Sequence, residues 1–126
     1  MRTTVTPVRY PEMRREVVNA LTSLSDPAYQ RRVWIGRHYP REGFFDDLTL
    51  TVNVLYDMVL PDPGARLGTV LTDDREVDTL RLLERVLGPL IADLGDAPDA
   101  RYLSDPRWGD VVDAARSALT AMRRAP

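Results

Sequence analysis

The stretch "FFDDLTLTVNVLYDMVLPDP", residues 44–63, admits two folds. Leu48, Leu50, Val52 and Val54 alternate as in a half-buried strand, while Phe44, Phe45, Leu48, Val52, Leu55, Tyr56 and Val59 recur at the spacing of one helix face. The threonines and valines favour the strand. A strand, however, needs a neighbour to take its backbone hydrogen bonds, and no other segment of the chain alternates as well. The preferred reading is a helix. A strand over residues 47–56, paired in a ribbon with "LGTVL" (67–71), is the alternative.

The flanking segments are less ambiguous. In "YPEMRREVVNALTSLS" (10–25) the residues Met13, Val17, Ala20, Leu21 and Leu24 keep a helical rhythm, and Pro11 fits a first turn whose N–H has no partner to lose. "SDPAYQRRVWI" (25–35) starts a second helix, with Asp26 as cap and Pro27 in the first turn. "TDDREVDTLRLLERVLGPLIADLG" (72–95) has the most regular stripe: Val77, Leu80, Leu83, Leu87, Leu90, Ile91 and Leu94. Thr72 or Asp73 caps it, Gly95 stops it, and Gly88–Pro89 is expected to kink it. "SDPRWGDVVDAARSALTAM" (104–122) repeats the Asp-Pro start and closes the chain as a last helix. The expected fold is mainly α: a compact single-domain bundle of about five helices over residues 10–124, preceded by a flexible tail over 1–9.

Composition narrows the chemistry. A chain of 126 residues with 44% apolar and 29% charged residues is an ordinary globular domain able to bury one core. No apolar run is long enough to span a bilayer and the N-terminus lacks the apolar segment of a signal peptide, so the expectation is a cytoplasmic protein without a membrane partner. There is no cysteine, which removes disulfides, thiol nucleophiles and thiolate metal sites. All 17 cationic residues are arginine, so lysine Schiff bases and lysine phosphate grips are excluded too. A formal net charge of −2 offers no general attraction to nucleic acid, which is not expected as a partner. No metal site or cofactor is expected, because calcium-loop, two-histidine and glycine-rich phosphate motifs are absent.

One segment gathers the unusual residues. "YQRRVWIGRHYPREGFFDD" (29–47) contains the only histidine, both phenylalanines and one of the two tryptophans. It also holds four arginines. Arginine and aromatic side chains gain much contact for little lost entropy and concentrate at interface hot spots. The candidate partner-binding residues are therefore Arg37, His38, Tyr39, Arg41, Asp46 and Asp47, with Asp46 and Asp47 facing a basic cleft and Arg37 and Tyr39 as anchors. Trp34, Phe44 and Phe45 are expected in the core, since a domain with so few aromatics spends most of them on packing. The Asp46–Asp47 and Asp73–Asp74 pairs stand where helices begin and complement their dipoles. The arginine pairs 14–15, 31–32 and 123–124 read as solvated faces. No catalytic residue is assigned, because no nucleophile is identifiable beside His38.

The segments "PEMRREVVNALTSLSDPAYQRRVWI", "VLPDP", "LGDAPD" and "YLSDPRWGDVVDAARSAL" together resemble a family of small actinobacterial proteins of uncharacterised function, over roughly residues 10 to 122. This resemblance implies no catalytic residues. The looser order of an aromatic-rich middle, "EVDTLRLL" and a late "DPRW" is similar to small immunity-type proteins that neutralise toxins. It implies a non-enzymatic module acting by stoichiometric occlusion of a protein partner. Three other readings stand beside it: a small-molecule or regulatory domain with a pocket lined by Trp34, Tyr56 and Trp108, an enzyme built on His38 with Asp46 or Asp47, and a homodimer assembled through the Leu-rich segment.

Overall fold

The computed structural model describes residues 8–124, and among them the polypeptide is helical with no β-strand. Six α-helices follow in order: α1 (Pro11–Leu24), α2 (Pro27–Tyr29, continued by a π-helix over Gln30–Ile35), α3 (Leu48–Met58), α4 (Asp74–Leu94), α5 (Asp99–Leu103) and α6 (Trp108–Arg123). A 3-10 turn, Pro63–Arg66, lies between α3 and α4. No helix is long and apolar enough to cross a membrane among these residues.

The contested stretch is a helix. Asp47 caps α3 by accepting the Leu50 N–H at 2.8 Å, which satisfies a donor that has no carbonyl partner inside the helix. Leu48, Thr51 and Leu55 then face inward, an i, i+3, i+7 spacing that a strand would have scattered over both faces. The ribbon partner "LGTVL" is occupied elsewhere. Its ends close on each other in one isolated bridge between Leu67 and Leu71, and Gly68 and Thr69 accept the backbone N–H groups of Arg9 and Tyr10. The end of the expected tail is thus tied down at residues 9 and 10, while residues 1–7 lie outside the described residues.

The core is a seam of α1, α4 and α6 with α3 laid against α1. Val17, Leu21, Leu24, Leu55, Leu80, Leu83, Leu87, Leu90, Val111 and Ala115 are fully buried, each large side chain contributing about 1.5–3 kcal/mol through removal from water. The leucines expected to support assembly are therefore used within the chain, and Leu82 alone of that run is exposed. α4 continues past Pro89 to Leu94 and ends at Gly95, whose φ of 53° closes the turn. Gly88 leaves room beside Glu84, which accepts the Tyr56 hydroxyl from α3.

One arginine expected on a solvated face turns inward. Arg14 forks onto Glu76 with bonds of 2.8 and 2.7 Å, and Glu76 is fully buried. The same guanidinium donates to the carbonyls of Val70 and Met122, while Glu76 also accepts the Thr72 N–H and hydroxyl. One ion pair thereby joins α1, the 69–72 loop, α4 and the end of α6. Arg15, its neighbour, pairs on the surface with Glu12 at 3.1 Å. The second Asp-Pro start does not cap its helix: α6 begins at Trp108 without a side-chain cap, and Asp105 instead accepts the Arg107 backbone N–H and its guanidinium, while Arg107 reaches on to Asp93 of α4 at 2.6 Å.

Two outcomes follow from these polar anchors. Arg14→Leu leaves the Glu76 carboxylate buried without its cation and is expected to cost about 3–5 kcal/mol in urea unfolding at neutral pH, with Arg14→Leu/Glu76→Leu recovering part of the loss; an unchanged midpoint for the single variant would exclude the clamp. The Arg107 side chain holds the Asp105 carboxyl at about 2. Because this folded-state value is depressed, its stabilisation is present above the ordinary carboxylate value of about 4 and fades as pH falls towards 2. Asp105→Asn should flatten the stability-versus-pH curve within that window, and an unaltered slope would mean the pair carries no linkage.

Candidate functional site

The 29–47 segment is organised by a change of helical pitch. After one turn capped by Asp26, which accepts the Tyr29 N–H at 3.1 Å, the backbone widens into the π-helix. Its end is marked by Gly36 N–H bonding to Arg31 O at 2.8 Å and His38 N–H to Arg32 O at 2.9 Å. Such widened turns are rare and recur at functional sites. Gly36 is required there, because a Cβ would stand 2.9 Å from the Arg32 carbonyl oxygen.

Inside the segment, Gln30, Val33 and Trp34 are buried. The Gln30 amide donates to the Ser23 and Leu24 carbonyls at 3.0 and 2.9 Å, and its oxygen accepts the Trp108 indole N–H at 3.0 Å. Trp34 packs edge-on against Trp108 with ring centres 6.3 Å apart. Its own indole N–H goes to Asp46 at 2.9 Å. Tyr29 and Thr51 donate to the same carboxylate at 2.7 and 3.0 Å. Burial, then this hydrogen bond, pushes the Tyr29 phenol up to about 12.

Asp46 and Asp47, adjacent in sequence, therefore part company. Asp46 is only 8% exposed and its carboxylate is held by three donors of the chain itself, so it is an internal anchor at the floor of a concavity and not an exposed contact. Asp47 caps α3, as expected of an acidic pair at a helix start. A second carboxylate joins it there: Asp99, at the start of α5, accepts the Leu48 N–H at 3.1 Å. Burial raises the Asp99 carboxyl above its ordinary value, against the opposing pull of the Leu48 N–H and of nearby Arg37. Asp99 lies 51 residues from Leu48 in sequence and carried no motif to mark it.

The remaining candidates form the outer surface. Arg37, His38 and Arg41 are exposed and Tyr39 is half-buried. The Tyr39 ring lies 6.3 Å from Phe44 and 5.7 Å from Phe45, and the Arg41 guanidinium stands 5.3 Å over Phe44. Phe45 is 54% exposed and Ile35 42%, so the expectation of Phe45 in the core is corrected. Arg37 has φ 55°, the left-handed region that costs a non-glycine residue about 1–2 kcal/mol.

These residues border two concavities that share Phe45 as a wall. One is a recess of about 310 Å3 lined by Ile35, Arg37, Tyr39, Asp47 and Asp99 among others. The other is a groove of about 450 Å3 between α1 and α3. The alternative readings fare differently. Trp34 and Trp108 are packed together with both N–H groups engaged, and Tyr56 bonds Glu84, so these three side chains do not converge on one ligand. His38 makes no side-chain hydrogen bond to Asp46 or Asp47 among the described residues, and both acids are held by other donors. No group of three or more His, Asp or Glu residues is placed to hold a metal ion among the described residues.

Neither the curated proteins nor the solved structures contain a match to this chain. A family whose defining description is a domain of unknown function does match, over residues 8–126, which is the whole of the helical bundle. With the match running from the turn before α1 to the end of the chain, the protein belongs to the family of the domain of unknown function DUF7945.

Proposed function

We propose that this protein is a non-enzymatic protein-binding module, of the immunity or antitoxin-like kind that acts by stoichiometric occlusion of a partner. The observation that carries the reading is Arg37: an exposed arginine held in a left-handed conformation where glycine would be less strained, beside exposed Ile35 and Phe45 and the half-buried Tyr39 ring. Backbone strain of this kind persists where the surroundings enforce it and concentrates at functional positions. Exposed apolar side chains rimmed by charge are the usual form of a contact patch. The Gln30 and Asp46 hydrogen bonds hold the patch against the bundle before binding, which lowers the ordering cost of association.

Arg37→Gly separates the two roles of this residue. Removing the left-handed strain should leave stability unchanged or raise it by up to about 1 kcal/mol, since glycine's greater unfolded-state freedom offsets part of the relief. Binding should nevertheless fall at least tenfold. A destabilised variant that binds as before would reverse the reading of Arg37.

Partner contact itself is tested by photo-cross-linking in the native host, with a benzophenone side chain placed at Tyr39, Phe45 or, as a control, exposed Leu82. A single adduct of fixed mass from positions 39 and 45, absent from 82, is expected. Equal labelling at all three positions, or none, would sink the proposal.

A further inference from the structure

The groove between α1 and α3 has an unusual charge arrangement. Its ionisable carboxylates are Glu16, on the exposed face of α1, and Asp46, buried beneath, and no arginine lines it. Asp46 is surrounded by neutral donors only, the Tyr29 and Thr51 hydroxyls and the Trp34 indole N–H. Neither carboxylate has an ion pair among the described residues. Hydrogen bonds satisfy the oxygen lone pairs but leave the net charge in place, and a buried charge without a counter-charge is a demand for one. Tyr29, Phe44 and Phe45 supply ring faces around it, with Leu50 and Val54 on the α3 side. The surroundings already attract guanidinium groups: Arg41 stands over Phe44, and Arg32 lies 5.8 Å from the Tyr29 ring centre without lining the groove.

We infer that this groove receives the guanidinium of an arginine side chain presented by the protein partner. The inference rests on the protein-binding reading above and names the chemistry of one contact within it. A planar, weakly hydrated guanidinium can stack on an aromatic face and donate to a carboxylate at once, which a compact ammonium does less well. The volume of about 450 Å3 exceeds what one side chain needs, and the groove is open along its length, so the occupant enters from a neighbouring surface. Phe45 forms part of both the groove and the recess beside Arg37, so a partner covering that ring is placed to insert a side chain here. The unpaired negative charge also opposes an acidic partner, giving selectivity through repulsion as well as attraction.

The test uses the full chain and N-acetyl-arginine N-methylamide as the probe, followed by amide NMR shifts. Saturable shifts at Glu16, Asn19, Thr51 and Val54 are expected at millimolar probe, with the neutral citrulline counterpart at least tenfold weaker. Glu16→Gln should weaken the probe at least threefold. Glu16 is exposed and free of side-chain hydrogen bonds among the described residues, so this variant keeps the test valid even where Asp46→Asn fails to fold. Equal response to citrulline, or shifts elsewhere only, overturns the inference. Saturation by micromolar spermidine, a polyamine without a guanidinium, overturns it in favour of a free amine ligand. Cross-linking at Phe45 without an arginine response removes the groove assignment and leaves the partner surface; an arginine response without cross-linking removes the partner and with it the source named here.

Discussion

The buried carboxamide of Gln30 is the contact on which the candidate surface depends. A fully buried glutamine must have its donors and acceptor met inside the protein, and here three groups from two elements meet them: the last two carbonyls of α1 and the indole of α6. This arrangement sets how far the π-helix stands from the bundle. Trp34, one turn further, is then delivered against Trp108 with its N–H aimed at Asp46. Asp46 in turn fixes the end of the 36–47 loop, so that the loop is held at both ends by buried polar groups. Bonds to a charged acceptor contribute about 1.5–3 kcal/mol each, and Asp46 accepts three. Among the described residues no buried side-chain polar atom is left without a partner.

The opposite end of the bundle is held by a different device. There the fork of Arg14 and Glu76 joins four segments through one buried ion pair, which is intolerant of losing either partner and sets the orientation of α1 against α4 and α6. Between the two anchors the core is ordinary, made of leucine, valine and alanine. The surface around Arg37 is tied to the bundle through the Trp34 and Asp46 hydrogen bonds. Arg37 in the left-handed region and the burial-raised Asp99 carboxyl are unfavourable features, and both lie beside this surface.

Much of the architecture is legible in the sequence. The helical rhythm of α1, α4 and α6, the Asp26, Asp47 and Asp73 caps and the stop at Gly95 all follow from neighbours within four residues in the chain, and local geometry is what a sequence encodes directly. Short α5 escaped notice because five residues carry too little periodicity to declare a helix. The π-helix escaped notice for a related reason: "QRRVWI" fits an α-helix equally well, and the wider pitch is imposed by where Gln30 and Trp34 must reach.

By itself the sequence determined the helical class, the absence of thiol and lysine chemistry, the segment in which the unusual residues gather and the existence of an acidic pair at a helix start. Only the tertiary structure decided which of Asp46 and Asp47 is buried, that Arg14 rather than Arg15 finds Glu76, that Phe45 remains outside while Trp34 goes in, and that Asp99 joins the site from more than fifty residues away. The physical reason is the same in each case. Capping and amphipathic spacing are settled by contacts a few residues apart, whereas the burial of one charge or ring over its neighbour is settled by which distant donor, acceptor or cavity it meets, and the linear pattern of residue types carries no record of that meeting.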